Sequence, residues 1–194
     1  MLKALFRSLL LLGGLLALGP TSADDNPKVT LTIGTNTVVI ELFPAKAPKS
    51  VENFLAYVEA EFYDGTIIHR AIEGFMIQGG GFEDGMVKKE SRDEIHNESD
   101  NALSNERGTL AMARTNDPHS ASSQFFVNVV DNDFLDYGAR GEDQWGYAVF
   151  GKVVEGMEVI DLLAETDTTT VGPYGDVPDP TIVITSARRN TNEE

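Results

Sequence analysis

The densest chemistry in the chain lies in IIHRAIEGFMIQGGG, Ile67–Gly81. It sets Arg70 shortly before Phe75, Met76 and Gln78. A guanidinium is a fixed cation that donates hydrogen bonds without giving up a proton. If Arg70 emerges on the surface that carries Phe75, Met76 and Gln78, a charged fork stands beside an apolar pocket. From spacing alone, an arginine in a surface ion pair beside core hydrophobics is the simpler reading. Other chemistries fit less well. Gly79-Gly80-Gly81 precedes neither a Lys-Ser/Thr pair nor a helical pattern, so the glycines serve tight turning or close packing rather than phosphate binding. His69, His96 and His119 form no metal-ligand spacing. Asp131-Asn132-Asp133 lacks the glycine and distal glutamate of a calcium loop. Ser120, Ser122 and Ser123 lie near His119 without a G-x-S-x-G elbow and read as turn residues.

These residues must be positioned by short strands. Thr66–Ala71 and Phe75–Gln78 are strand-like, and alternation predicts that His69 and Arg70 face opposite sides, with His69 packed inward. Val29–Ile33 and Thr37–Leu42 read as a hairpin across Gly34-Thr35-Asn36. Val51, Phe54, Leu55, Val58 and Phe62 make one apolar stripe of a helix over Pro48–Glu61, with Pro48 suited to its first position. Phe82 to Gly108 is a long polar loop. Thr109–Ala113 and Gln124–Val129 are strands, and Phe125 and Phe126 must face opposite ways, one into the core and one towards a cleft. Asp136–Gly146 is a second polar loop, and Tyr147–Val154 is another strand. A short helix starts near Gly156, Thr166–Pro180 is turn-rich, Thr181–Ala187 is the last strand and Arg188–Glu194 is a tail. About eight strands with short connections favour antiparallel pairing. With two helices they suit a closed barrel whose ends the helices cover, a sandwich being the alternative.

Composition narrows the classes further. The chain has 194 residues, enough for one well-buried domain. It has no cysteine, which removes disulfides, thiolate metal sites and a cysteine nucleophile. Thirty-one acids against fifteen bases give a net charge of −16, a poor match to nucleic acid or to anionic membranes. At the N-terminus, Lys3 and Arg7 precede the apolar run Leu9–Leu18 and the small residues Thr21-Ser22-Ala23. That layout predicts a secretory signal peptide over 1–23, cleaved after Ala23, and a folded domain over 24–194. The apolar run falls short of the ~20 residues that span a bilayer, so no stable membrane insertion is expected after cleavage.

The ordered motifs IIHR, FMIQGGG, GTLAMAR, SSQFFV, FLD and YAVFGKV together resemble the cyclophilin family of peptidyl-prolyl isomerases over roughly Val29–Ala187. HNES through RGTLAMART most resembles the bacterial branch, including its periplasmic members. The resemblance implies an all-β-dominated fold, an eight-stranded closed antiparallel β-barrel capped by two α-helices, with the active groove on the barrel's outer face. It implies a peptidyl-prolyl cis-trans isomerase with Arg70 as catalytic residue. Substrate contacts carry over to Phe75, Met76, Gln78, Ala113, Gln124, Phe126 and Leu135. Phe134 stands where the family often has tryptophan, which implies weak cyclosporin binding. Tyr147 stands where many members have a histidine near the groove. Arg114-Thr115 replaces a small polar pair of the eukaryotic pattern. No metal or cofactor is implied. The expected partners are proline-containing unfolded or exported polypeptides, met in the periplasm by a monomer.

The implied chemistry suits these residue types. Amide rotation costs ~18–20 kcal/mol because resonance is broken. In the twisted amide the prolyl nitrogen regains a lone pair, and a permanent donor such as Arg70 would bind that state better than either planar isomer. A proline-binding module or holdase with little turnover is the second reading; the arginine beside a proline-sized pocket favours an enzyme.

Overall fold

The computed structural model describes residues 26–190. The expected signal peptide lies outside the described residues. Eight strands close a ring in which every neighbouring pair is antiparallel. They are β1 (Lys28–Ile33), β2 (Asn36–Leu42), β3 (Thr66–Ile72), β4 (Met76–Glu83), β6 (Thr109–Met112), β7 (Phe125–Asn128), β8 (Val149–Glu155) and β11 (Ile182–Arg189). Around the barrel the order is β3-β11-β1-β2-β8-β6-β7-β4, and β4 pairs back onto β3. A two-residue strand, β5 (Val87–Lys88), lies along the end of β4. A separate hairpin is made by β9 (Thr168–Val171) and β10 (Tyr174–Pro178).

The two-residue period of the strands sorts side chains between two apolar clusters. Val29, Leu31, Ile33, Val38, Ile40, Leu42, Leu110, Phe125, Val127 and Phe150 point into the barrel. Both helices join that core. Helix α1 (Pro48–Glu59) contributes Val51, Phe54, Tyr57 and Val58, and α2 (Met157–Ala164) contributes Ile160 and Ala164. Phe54 meets Tyr63, Phe125 and Phe150 at ring-centroid distances of 5.2, 5.5 and 5.3 Å. The first turn of α1 has Pro48 and no capping side chain of its own. Its free amides are taken from the long loop instead: Glu98 accepts from the backbone of Lys49 (3.0 Å) and Ser50 (2.8 Å) and from the Ser50 hydroxyl (2.7 Å). A carboxylate there also meets the positive end of the helix dipole.

Four expectations need correction. The short strand over Phe75–Gln78 does not stop at the glycines; β4 runs through Gly79, Gly80 and Gly81 to Glu83. Thr166–Pro180 contains the hairpin β9–β10, whose strands are mostly exposed and so show no burial alternation. The last strand continues through Arg188 and Arg189, part of the expected tail. His69 and Arg70 do not face opposite sides, because the register of β3 against β4 slips between Ile68 and Arg70. Ile68 and Ala71 both enter the core, so the bulge places His69 and Arg70 together on the outer side.

Candidate active site

Where β4, β7, β6 and β8 adjoin, the residues that alternate with the core form a second apolar cluster on the outer face. It consists of Met76, Phe126, Ala111, Ala113, Val149 and Leu135, with Phe75 and Tyr147 packed against it. A cavity of about 150 Å³ opens there. Its walls are Arg70, Phe75, Met76, Gln78, Ala113, Arg114, Phe126, Leu135 and Tyr147. Met76, Phe126 and Leu135 are buried and supply the floor, while Arg70 is part-exposed. Phe125 and Phe126 divide as the alternation predicts, the first into the barrel and the second into this cluster.

The polar border is set by strand register. Arg70 pairs with Gln78 across β3 and β4, and Gln78 pairs with Phe126 across β4 and β7. The Gln78 amide donates to Gln124 Oε1 at 2.9 Å. Gln124 can lie over the strand because Gly81 has no side chain; a Cβ at that position would clash with Gln124 Cγ. Gln124 also fixes the neighbouring strand end, its carbonyl accepting from the Ala113 amide at 3.0 Å. Gln124 therefore borders the cavity without lining it. Phe134 does the same: it is 53% exposed and stacks on Phe75 at 5.8 Å.

Below the opposite wall lies a buried amide network. Asn105, Asn128 and Asn132 are nearly inaccessible to solvent. Asn132 Nδ2 donates to Asn128 Oδ1 (2.8 Å) and to the Phe75 carbonyl (3.0 Å). Asn128 Nδ2 donates to Asn105 Oδ1 (3.2 Å) and Thr109 Oγ1 (2.9 Å). Asn105 donates through its backbone and side chain to Asp136 Oδ1 (2.7 and 2.8 Å). The Leu135 amide donates to the Asn132 carbonyl, and the Tyr147 amide to the Leu135 carbonyl. Phe75, Leu135 and Tyr147 are thus tied to one network whose buried partners are costly to unpair.

Arg114, noted in the sequence only as part of the pair that replaces two small polar residues, lines the cavity itself. Its guanidinium donates to the carbonyls of Gly146 (3.1 Å) and Trp145 (3.0 Å) and lies 4.5 Å over the Tyr147 ring. The signal was a cation at the end of a strand whose preceding residue, Ala113, was already a candidate. His69 is buried against Phe82, ring to ring at 4.8 Å. Burial, then the neighbouring Arg70 charge, lowers its pKa to about 4, so it is neutral at pH 7. His96 and His119 lie away from the cavity, stacked at 4.2 Å beside Trp145. A larger hollow of about 440 Å³, between α1 and residues 92–96, carries charges of both signs and shares no residue with the groove.

The arrangement can seat a small apolar ring and present hydrogen-bond donors along one edge of it. The family model for cyclophilin-type peptidyl-prolyl cis-trans isomerases matches residues 28–189. Peptidyl-prolyl cis-trans isomerase A of Dickeya dadantii is 52% identical over 167 residues, covering 86% of each chain. Peptidyl-prolyl cis-trans isomerase B of Escherichia coli is 51% identical over 158 residues, 81% of this chain and 96% of its own. A crystal structure of a cyclophilin-type isomerase from Cryptosporidium parvum superposes with a TM-score of 0.70 at 26% identity, covering 87% of this chain and 99% of that one. A second structure of that protein, determined in the presence of the dipeptide Ala-Pro, gives 0.69.

Proposed function

The chain belongs to the cyclophilin-type peptidyl-prolyl cis-trans isomerases, and from that premise we propose that Arg70 is its catalytic residue and the 150 Å³ cavity its proline seat. The single observation that carries this is one continuous wall in which Arg70 and Gln78 border Phe75, Met76, Phe126 and Leu135. With the pyrrolidine ring among those apolar groups, its burial contributes roughly 1.5–3 kcal/mol and anchors one side of the bond. The acyl side then turns. Resonance is lost on the way, and the prolyl nitrogen gains a lone pair that accepts a hydrogen bond from Arg70. Planar cis and trans amides offer no such acceptor, so the arginine binds the twisted form preferentially, and that difference lowers the barrier. No bond is made or broken and no proton moves. Gln78, held by Gln124, orients the acyl carbonyl or the guanidinium beside it.

The substrates in this reading are proline-containing chains still folding after export. The N-terminal layout of Lys3, Arg7 and Leu9–Leu18 supports periplasmic delivery with cleavage after Ala23. Cell fractionation with N-terminal sequencing of the purified protein tests that part; recovery from the cytoplasm with Met1 intact overturns it. A prolyl isomerisation assay with Arg70→Ala alongside tests the chemistry. Acceleration by the unaltered chain and its loss in the variant are expected; an equally active variant overturns the assignment.

A further inference from the structure

The hairpin β9–β10 lies outside the barrel yet is fastened to the site. Tyr174 meets the Phe82 ring edge-on at 5.2 Å, and Phe82 meets His69 at 4.8 Å. This stack seats β10 beside the bulge of β3. A cavity of about 420 Å³ lies beneath the hairpin, and Arg70 and Gln78 line it as well as the groove. Asp176, held in the left-handed region at φ +59°, lines it from the hairpin side. Its Oδ2 stands 3.4 Å from Arg70 Nε. The terminal amino groups of Arg70 have no hydrogen-bond partner among the described residues.

We propose that Asp176 is a positioning residue for Arg70: it engages Nε from the hairpin side and leaves the two terminal amino groups to the substrate amide. The proposal rests on the reading of Arg70 as catalytic. A long arginine side chain has many rotamers, and holding one of them in advance removes an ordering step from each turnover. Both partners of the pair are 40% or more exposed, so its contribution to folding stability is small. Its effect is on where the cation points.

The test is Asp176→Asn in the full chain, since asparagine tolerates the left-handed backbone as aspartate does. Turnover and KM are separated by exchange NMR on a proline peptide, and the Arg70 Nε–Hε resonance is followed. The expected result is a fall in kcat of about three- to tenfold with little change in KM. Melting temperature should hold, and the Arg70 resonance should shift and gain mobility. Asp176→Glu should recover part of the rate, and Asp176→Asn should have no further effect in an Arg70→Ala background. If Arg70→Ala is fully active, the underlying reading fails. If Arg70→Ala is slow but Asp176→Asn keeps both rate and resonance, only the positioning role is overturned. A rate loss without a resonance shift, or one that persists in the Arg70→Ala background, overturns it equally.

Discussion

Arg70 and Gln78 stand opposite each other across the β3–β4 pairing, so a cation and an amide share one edge of the groove by register alone. The bulge between Ile68 and Arg70 makes this possible. Without the extra residue, alternation would turn Arg70 towards the barrel core, where an unpaired guanidinium is prohibitively costly.

Removing the guanidinium should isolate its share of the rate. Arg70→Ala is expected to lower kcat/KM by about 10²–10³, the usual cost of one preorganised donor. Arg70→Lys should remain well below the unaltered enzyme, because an ammonium cannot offer the planar fork. Both variants should melt close to the parent, since Arg70 is half-exposed. A protease-coupled isomerisation assay and a thermal melt decide it.

Gly81→Ala probes the close approach under Gln124. The new methyl would clash with Gln124 Cγ, Cδ and Nε2, so the side chain must shift away. The Gln78–Gln124 hydrogen bond is then lost. A stability loss of about 1–3 kcal/mol is expected, as for other overpacked sites. Turnover should fall with it. Urea unfolding together with the isomerisation assay measures both effects.

Asn132→Ala cuts the network that holds the pocket wall. It leaves the buried Asn128 Oδ1 without its donor and removes one of the two donors to the Phe75 carbonyl, which keeps the Val129 amide. About 1–3 kcal/mol of stability should be lost. The peptide KM should rise modestly, because the Phe75 carbonyl is then held by the Val129 amide alone. Unfolding curves and peptide titration by NMR are the readouts.

His69 gives the protein a specific acid sensitivity. In the unfolded chain it takes a proton near pH 6.5, and in the folded one near pH 4, through burial and the Arg70 charge. Above pH 6.5 both states are neutral and stability is full. Between pH 6.5 and 4 the unfolded chain binds the proton that the folded chain refuses. Stability should therefore fall as pH falls, by up to about 1.4 kcal/mol per pH unit across that window. The Asp64 carboxylate, held low by hydrogen bonds from Arg188, adds a loss only below its ordinary value of 3.8. Urea unfolding from pH 7.5 to 4.5 should thus be flatter in His69→Gln than in the parent; an identical slope would remove His69 from the account.

Much of the architecture was legible because burial leaves a period. Val51, Phe54 and Val58 marked α1 at helical spacing, and the alternation of β1 and β2 marked strands with one face in the core. What escaped lacked that pattern. Glycine disfavours strands and carries no side chain to pack, so β4 looked finished at Gln78 when it continued to Glu83. Every residue of β9 is exposed, so Thr168–Val171 has no inner face to declare. The bulge of β3 breaks the two-residue rule at the very pair, His69 and Arg70, whose sides were inferred from it. The strand residues that line the groove were named from the resemblance, since spacing alone favoured an ordinary surface ion pair for Arg70. Arg114 stood out only as a departure from a small polar pair, because its place in the wall follows from the carbonyls of Trp145 and Gly146, remote in sequence.

The ring closure of β4 onto β3 has one more consequence. A partly folded chain seeks unpaired backbone along any open sheet, and an open edge invites it to add a strand and remain. The barrel has no such edge; only the two-residue β5 and the small outer hairpin end freely among the described strands. An enzyme proposed to work on unfinished chains can therefore hold them by a proline and a few side chains, and release them, without becoming a template for their aggregation.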